Sequence, residues 1–317
     1  MSAKSTAPIA VSRYRGNVTE PPHSPPPHSP PARSSPPEHS LSEFTSVAPG
    51  VWRAVAEPAT VTIGLVAGTT GAMVVDTGSH PDQGAQIRAA AERVAGVPVT
   101  HVAVTHAHHD HLFGLAGFGS VTSLAHESVA ELLAAPDEGL VATARDLGVD
   151  PVALATPTDT MVALRAVDLG ECRVELLHAG RGHTDADLVV VVPEAGVVFV
   201  GDLVEQASPA WYGPDSHPQE WPDTLDGVIG LLDEDSIVVV GHGEPVDRDF
   251  VIRTRSAAAA VAYEIEQLID RGVQLEQAEH EGEWALPYEH VRAGVAADWA
   301  RAADRGIRGT RPTLPLA

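Results

Sequence analysis

The segment His101-Val102-Ala103-Val104-Thr105-His106-Ala107-His108-His109-Asp110-His111 decides the reading of this chain. His101–Thr105 is a short, β-branched run of the kind that makes a buried strand, and a histidine-rich loop follows it without a break. A loop at a strand end is held by a rigid sheet and presents its side chains in fixed positions. His106 and His108 lie two residues apart, so in extended backbone they point the same way and can chelate one ion. Asp110 and His111 follow in the turn and can reach a second ion beside it. Imidazole nitrogen with carboxylate oxygen suits Zn²⁺, and iron or manganese is compatible.

Three further positions repeat the arrangement. His183 lies in Gly180-Arg181-Gly182-His183-Thr184-Asp185, a turn between the expected strands Cys172–His178 and Asp187–Val192. Asp202 follows the buried strand Val197–Val200 through Gly201, and His242 follows Ile237–Val240 through Gly241. Each is a ligand-type side chain at the C-terminal end of an apolar strand, beside a glycine that lets the backbone approach closely.

Working outward, Val51–Ala56, Val61–Ala67 and Ala72–Asp76 are short β-rich runs between Pro and Gly signals, which predicts an antiparallel meander. Asp82–Ala95 carries Ile87, Ala90, Ala91 and Val94 at helical spacing and stops at Gly96 and Pro98. Further strands are expected at Val121–Leu124 and Met161–Leu169. Helices are expected at Glu127–Ala134, Leu140–Leu147, Pro222–Leu232, Arg248–Arg271 and Glu289–Ala303. Two strand-rich halves, each followed by helices, predict an α/β fold of two sheets stacked face to face with helices outside.

Composition narrows the function. The 317 residues carry 20 Lys+Arg against 43 Asp+Glu, a net charge of −23. That balance opposes nucleic acid, whose binding depends on replacing counterions with basic side chains, and it opposes an anionic membrane surface. A small-molecule substrate is the expected partner. Lys4 is the only lysine, which excludes lysine-nucleophile chemistry from the folded part. Cys172 is the only cysteine, so an intrachain disulfide and a cysteine-cluster metal site are excluded, and it is expected to pack as a small apolar side chain. No run reaches the roughly 18 apolar residues of a membrane span, and the N-terminus lacks the apolar core of a secretory signal. The expectation is a soluble, cytoplasmic protein. Ten of the 26 prolines fall in residues 1–43, so this stretch is expected to be a disordered tail with His23, His28 and His39 solvated. Residues 44–247 are expected to form the catalytic domain, and 248–317 a helical extension packed on it.

The order His-x-His-x-Asp-His, then a lone His, a lone Asp and a lone His, resembles the metallo-β-lactamase superfamily over roughly residues 44–245. The resemblance implies an αββα sandwich, two stacked mixed β-sheets flanked by helices. It also implies two divalent ions, with His106, His108 and His183 on the first, Asp110, His111 and His242 on the second, and Asp202 bridging both. Asp76, in Val74-Val75-Asp76-Thr77-Gly78, matches the superfamily's early strand-end aspartate, a loop organiser near the site and not a ligand. A site of this kind, most simply zinc-loaded, is expected to use a metal-bridging hydroxide, oriented by Asp110 and Asp202, to attack a small ester, thioester, lactone or amide. Asp76 or Asp185 is expected to orient the ligand imidazoles. The bridging carboxylate resembles glyoxalase II and lactonase-type members more than β-lactamases, although the lysine-poor C-terminal region offers no evident cluster for the carboxylates of glutathione.

Two other readings stay open at this stage. A mononuclear iron persulfide dioxygenase would share His106, His108 and His183, and the additional His111 and His242 count against it. A non-catalytic metal-binding protein would use the proline-rich tail as its interaction element. The aromatic loop Ser208–Trp221 follows Asp202 closely. Trp211, Tyr212 and His217 are read as lining the substrate pocket, with Tyr212 a donor to the oxyanion or leaving group. The competing reading has the aromatic residues pin the loop to the sheet. His109 fills the variable slot of the motif and is expected to be an exposed bystander, while His80, His101, His126 and His178 are expected to be ordinary hydrogen-bonded histidines.

Overall fold

The computed structural model describes residues 39–305, so most of the proline-rich stretch, with His23 and His28, lies outside the described residues. The chain enters as a meander of β1 (Thr45–Ala48), β2 (Val51–Ala56), β3 (Val61–Ala67) and β4 (Ala72–Val75), each antiparallel to the one before. Helix α1 (Pro81–Ala95) then crosses to β5 (Val99–Ala103), which runs parallel to β4. Its ends are chemically marked. His80 accepts the Asp82 N–H, Pro81 opens the first turn, and Gly96 closes the helix at φ 70° with its N–H on the Glu92 carbonyl. After the short helix α2 (His109–Leu112), β6 (Thr122–His126) and β7 (Asp159–Met161) extend the sheet in parallel, with α3 (Glu127–Ala134) and α4 (Glu138–Asp146) between them.

The second sheet is another meander, β8 (Leu164–Asp168), β9 (Arg173–His178), β10 (Leu188–Val192) and β11 (Val197–Phe199). Helix α5 (Trp221–Ile229) leads to β12 (Ile237–Val239), which joins β11 in parallel. Helices α6 (Arg248–Asp270), α7 (Ala278–Glu281) and α8 (Tyr288–Asp304) follow. Among the described residues, seven strands in sequence order make one sheet, and five in the order β12-β11-β10-β9-β8 make the other.

The two faces of each strand explain the layers. Met73 and Val75 of β4 meet Leu176, Leu188, Val190 and Phe199 between the sheets, while Ala72 and Val74 turn the other way onto Ile87 and Ala91 of α1. Val189 and Val238 point outward from the second sheet onto Val228 of α5, Val261 and Ile265 of α6, and Val291 and Val295 of α8. The order is therefore helix, sheet, sheet, helix, the expected αββα sandwich. The C-terminal helices cover the outer face of the second sheet. Among the described residues, no helix is long and apolar enough to cross a membrane.

Two expectations need correction. The single strand expected at Met161–Leu169 is two strands in different sheets: β7 pairs with β6, and β8 pairs with β9. The apolar run Met161-Val162-Ala163-Leu164 reads as continuous, but hydrogen bonding switches partners within it, and His178 N–H already donates to the Ala163 carbonyl. The boundary expected after residue 43 falls inside a bonded segment. Ser42 N–H donates to Val55 O, Glu57 N–H to Ser40 O, and the Gln83 amide reaches Ser40 O, because backbone groups left open around β2 find their partners there.

Candidate metal centre

The ligand-type residues leave the ends of β5, β9, β11 and β12, where main-chain bonds tie the two sheets together. Leu188 N–H donates to Thr105 O and Thr62 N–H to Gly241 O. Two groups form there: His106, His108, His183 and Asp202, and beside them Asp110, His111 and His242. Within each group one ligand atom per residue lies within 4.8 Å of all the others. His183 Nε2 is 2.9 Å from His108 Nδ1. Asp202 Oδ2 is 3.7 Å from His106 Nε2, 3.5 Å from His183 Nε2 and 3.5 Å from His242 Nε2. Its Oδ1 is 3.4 Å from His111 Nε2. Asp110 Oδ2 is 3.3 Å from His242 Nε2 and 3.7 Å from His111 Nε2.

These spacings fit divalent ions. Ligand atoms about 2.0–2.1 Å from a common tetrahedral ion stand about 3.3 Å apart. His106 Nε2, His111 Nε2 and Asp202 Oδ1 are also buried with no hydrogen-bond partner. A buried polar atom without a partner costs about 1–3 kcal/mol, so three gathered at one point are accounted for by cations that they would ligate. Asp202 stands between the two groups, against imidazoles of both.

The inward-facing nitrogens of His106, His108, His111 and His183 are aimed by what holds the far side of each ring. Asp76, at φ 65°, occupies the left-handed region that Asp tolerates better than most residues. Its Oδ1 accepts the Thr105 N–H at 2.8 Å, and its Oδ2 lies 2.8 Å from His111 Nδ1. Thr105 Oγ1 is 3.0 Å from His106 Nδ1. His183 Nδ1 faces the Trp211 carbonyl at 3.1 Å, and His108 Nε2 faces Asp215 Oδ2 at 3.0 Å, which turns His108 Nδ1 inward. Arg53 of β2 donates to Gly243 O at 3.1 Å and pairs with Glu244, fixing the turn after His242. Gly241 is required by close approach: a Cβ there would lie 1.8 Å from Asp202 Oδ1.

The side chains of the site balance one another's charge. Burial opposes ionisation of Asp110 and Asp202, but the His111 imidazole, with His242 hydrogen-bonded to each carboxylate, outweighs it and holds both below the usual carboxylate range. Burial likewise opposes a proton on His111, yet Asp202, Asp76 and Asp110 raise that imidazole well above its ordinary value. His242 is raised to about 10 against burial by its bonds to Asp110 and Asp202. Burial, aided by the neighbouring imidazoles, pushes His106 well down and His183 to about 4, so both are neutral at pH 7, the form that binds a metal.

Several sequence expectations are corrected here. Asp185 does not touch a ligand imidazole; its Oδ1 lies 2.8 Å from His217 Nε2 and 3.6 Å from Arg181. Tyr212 is buried on Trp221 with ring centroids 4.3 Å apart, in the core under α8, and its hydroxyl is enclosed without a partner, so it is not a donor at the metal centre. His217 is buried and clamps its loop to the His183 turn, with its N–H on Gly182 O. Trp211 meets the site through its carbonyl, while its indole is 47% exposed and rests edge-on to His290. A cavity of about 240 Å³ does adjoin His108, but Trp211, Tyr212 and His217 are not in its wall. His109, expected as a bystander, is in that wall and meets the Phe113 ring at 6.2 Å. A larger groove of about 830 Å³, between His39–Phe44 and α1, has none of the ligands in its wall. His80, His101, His126 and His178 each have a ring nitrogen within hydrogen-bond reach of a neighbour.

Sequence reasoning missed Asp215 and Thr105. Both lie in segments named above, Thr105 at the head of the motif and Asp215 within the aromatic loop Ser208–Trp221. The sequence signal of that loop is its aromatic residues, and nothing local marks an aspartate 107 positions away as the partner of His108.

An αββα sandwich with paired histidine–aspartate groups at one end is the frame of a metal-binding protein. A profile of the metallo-beta-lactamase superfamily matches residues 56–242, and the chain belongs to that superfamily. The metallo-beta-lactamase type 2 of Bacillus cereus is 26% identical over 194 residues, which is 60% of this chain and 70% of that protein. The type 2 enzyme of Bacillus sp. (strain 170) is 27% identical over 158 residues, 49% of this chain and 56% of that protein. Among solved structures, FIM-1 from Pseudomonas aeruginosa in its mono-zinc form has a TM-score of 0.57 at 20% identity, covering 72% of this chain and 99% of that one. The metallo-beta-lactamase from Erythrobacter litoralis with beta mercaptoethanol in the active site has a TM-score of 0.57 at 22% identity, covering 68% and 95%. These structures share the fold. The membership and the ligand groups support divalent metal binding and hydrolase chemistry in general.

Proposed function

We propose that this chain is a dinuclear zinc hydrolase that attacks the carbonyl of a small ester, thioester, lactone or amide. The observation that carries the reading is Asp202, whose two oxygens lie 3.4–3.7 Å from the nitrogens of His106, His111, His183 and His242. Bound there, two divalent ions supply a hydroxide at neutral pH and a Lewis acid for the substrate oxygen. Asp110 and Asp202 are both held in the ionised range and converge on His242 Nε2, and either carboxylate would serve as the acceptor that orients the O–H of the attacking hydroxide. The rings of His106, His108, His111 and His183 are held from behind and need no rearrangement during reaction. A net charge of −23 favours a small molecule over a polyanion as substrate. Cytoplasmic residence is part of the reading, and a chain with one cysteine, which can form no intrachain disulfide, is compatible with it.

The complete second group, Asp110, His111 and His242, weighs against a mononuclear iron dioxygenase. The name of the two Bacillus relatives makes the β-lactam ring, a strained cyclic amide, one member of the substrate panel. The test is elemental analysis of the purified chain followed by thioester, lactone, aryl ester and β-lactam assays. Two zinc ions per chain with turnover of a panel member are expected, and Asp202→Ala is expected to lose the second ion and most of the rate. Wild-type stoichiometry and rate in Asp202→Ala would contradict the bridging role. Oxygen consumption on a persulfide, or two bound ions with no turnover of any member, would overturn the hydrolase reading.

A further inference from the structure

The cavity beside His108 says what kind of substrate the centre takes. It lies between α3, α4 and the loop at Pro214, with Phe113, Leu132, Leu140, Thr143 and Pro214 in its wall together with His108. His108 belongs to the first ligand group and to this wall, so the cavity adjoins the metal centre on the side of His108 and its partner Asp215. Its volume, about 240 Å³, is below the roughly 300–1,000 Å³ of pockets that enclose a whole drug-sized ligand, so it has room for one substituent and not for a complete substrate. The charged groups in the wall beyond the histidines are carboxylates. Asp137 caps α4 by accepting the Leu140 N–H at 2.7 Å, and Asp215 is engaged by His108. Neither lysine nor arginine is in the wall, so a carboxylate or phosphate entering it would meet like charge without a cation to pair with.

We propose that this cavity seats an uncharged apolar acyl or aryl group of the substrate, next to the scissile carbonyl, and that it selects against substituents ending in a negative charge. The assignment rests on the hydrolase reading for its chemistry, but the seat can be measured without turnover. Each methylene moved from water into such a wall is worth roughly a three- to four-fold gain in binding until the space is full.

The test uses the full chain loaded with zinc. A series of n-alkyl hydroxamic acids, whose head groups bind zinc, is titrated by calorimetry from acetyl to octanoyl, and p-nitrophenyl esters of the same acids are assayed in parallel. Affinity is expected to climb about three-fold per methylene over the first several carbons and then level. The octanoyl-to-acetyl ratio is expected to fall at least ten-fold in Leu140→Trp and, as a second variant on the neighbouring helix, in Leu132→Trp. A hydroxamate of equal length ending in a carboxylate is expected to bind at least ten-fold more weakly than its neutral counterpart. A chain-length series that is flat in the wild type, or equally steep in both folded variants, overturns the assignment, as does equal or tighter binding of the carboxylate-ended compound. If the hydroxamates show the length dependence while no ester is turned over, the cavity assignment stands and the hydrolase reading fails.

Discussion

Asp215 Oδ2 lies 3.0 Å from Nε2 of His108, and through that bond a loop 107 positions downstream decides which nitrogen of His108 turns toward the metal centre. The carboxylate favours the tautomer with its proton on Nε2 and leaves the lone pair of Nδ1 facing inward, 2.9 Å from His183 Nε2. Asp215→Ala is expected to weaken the first ion about ten- to a hundred-fold, as loss of such anchors does. Competition with a chromophoric chelator measures this; an unchanged first-ion affinity would remove the role.

The two ions are expected to respond differently to pH. In the metal-free chain His111 and His242 are raised above their ordinary values, so both carry protons at pH 7 that the second ion must displace. Its affinity therefore rises with pH, about ten-fold per unit for each proton displaced, until pH passes the His242 value of about 10. At the first group His106 and His183 are already neutral, and only His108, which Asp215 raises against burial, competes. Chelator titrations between about pH 6 and about pH 8 should give a steeper slope for the second ion, and equal slopes would contradict this picture.

Gly241→Ala places a Cβ 1.8 Å from Asp202 Oδ1. The carboxylate must move, so the variant is expected to bind one ion in place of two and to lose about ten-fold or more in rate, with a stability cost of about 1–3 kcal/mol. Elemental analysis showing two tightly held ions would mean that Asp202 can shift without leaving its post.

Gly294 of α8 carries the same logic at a distance. A Cβ there would lie 2.7 Å from Ser216 Oγ and 2.8 Å from Tyr212 Cβ, and Gly294 N–H donates to Tyr212 O. The loop pressed in this way contains Trp211, whose carbonyl holds His183, and Asp215, which holds His108. Gly294→Val is expected to cost about 1–3 kcal/mol and to weaken the first ion. Urea unfolding and metal titration check the two effects separately; lower stability with wild-type metal affinity would confine α8 to a packing role.

Asp187 is fully enclosed, accepts the Thr184 N–H and Oγ1–H, and is raised by burial from 3.8 to about 7. A carboxyl whose folded value is raised keeps its proton in the fold. Its contribution is fully present below about 4 and is lost as pH climbs through about 7. Asp187→Asn keeps an acceptor for Thr184 without the titration. The metal-free wild type is therefore expected to lose stability relative to Asp187→Asn between about pH 5 and about pH 8. The difference between the two proteins isolates Asp187, because imidazoles with shifted folded values gain or lose protons on unfolding in the same window. A constant difference across that range would contradict the assignment.

Much of the fold was legible because its signals are local. The β-rich run Val61–Ala67, buried along nearly its whole length, and the helix signals around Asp82–Ala95 are written in adjacent residues, and the elements form where they are expected. The strand at Met161–Leu169 misled because an apolar run does not say which sheet it pairs with, and pairing changes within it. Tyr212 misled for a related reason. Nearness in sequence to Asp202 suggested a pocket, whereas the space beneath α8, contributed by residues about 80 positions later, is where its ring is buried.

The sequence by itself determined the donor set. Imidazoles and carboxylates clustered after the ends of apolar strands suit cations, and the spacing of His106, His108, Asp110 and His111 divides them between two neighbouring points. The tertiary structure alone decided what stands behind those donors, namely Asp215 on His108, the Trp211 carbonyl on His183 and Asp76 on His111. It also decided where the apolar cavity opens. Ring orientation and cavity shape depend on bonds and contacts between segments far apart along the chain. Such contacts leave no periodic trace in the residues that make them.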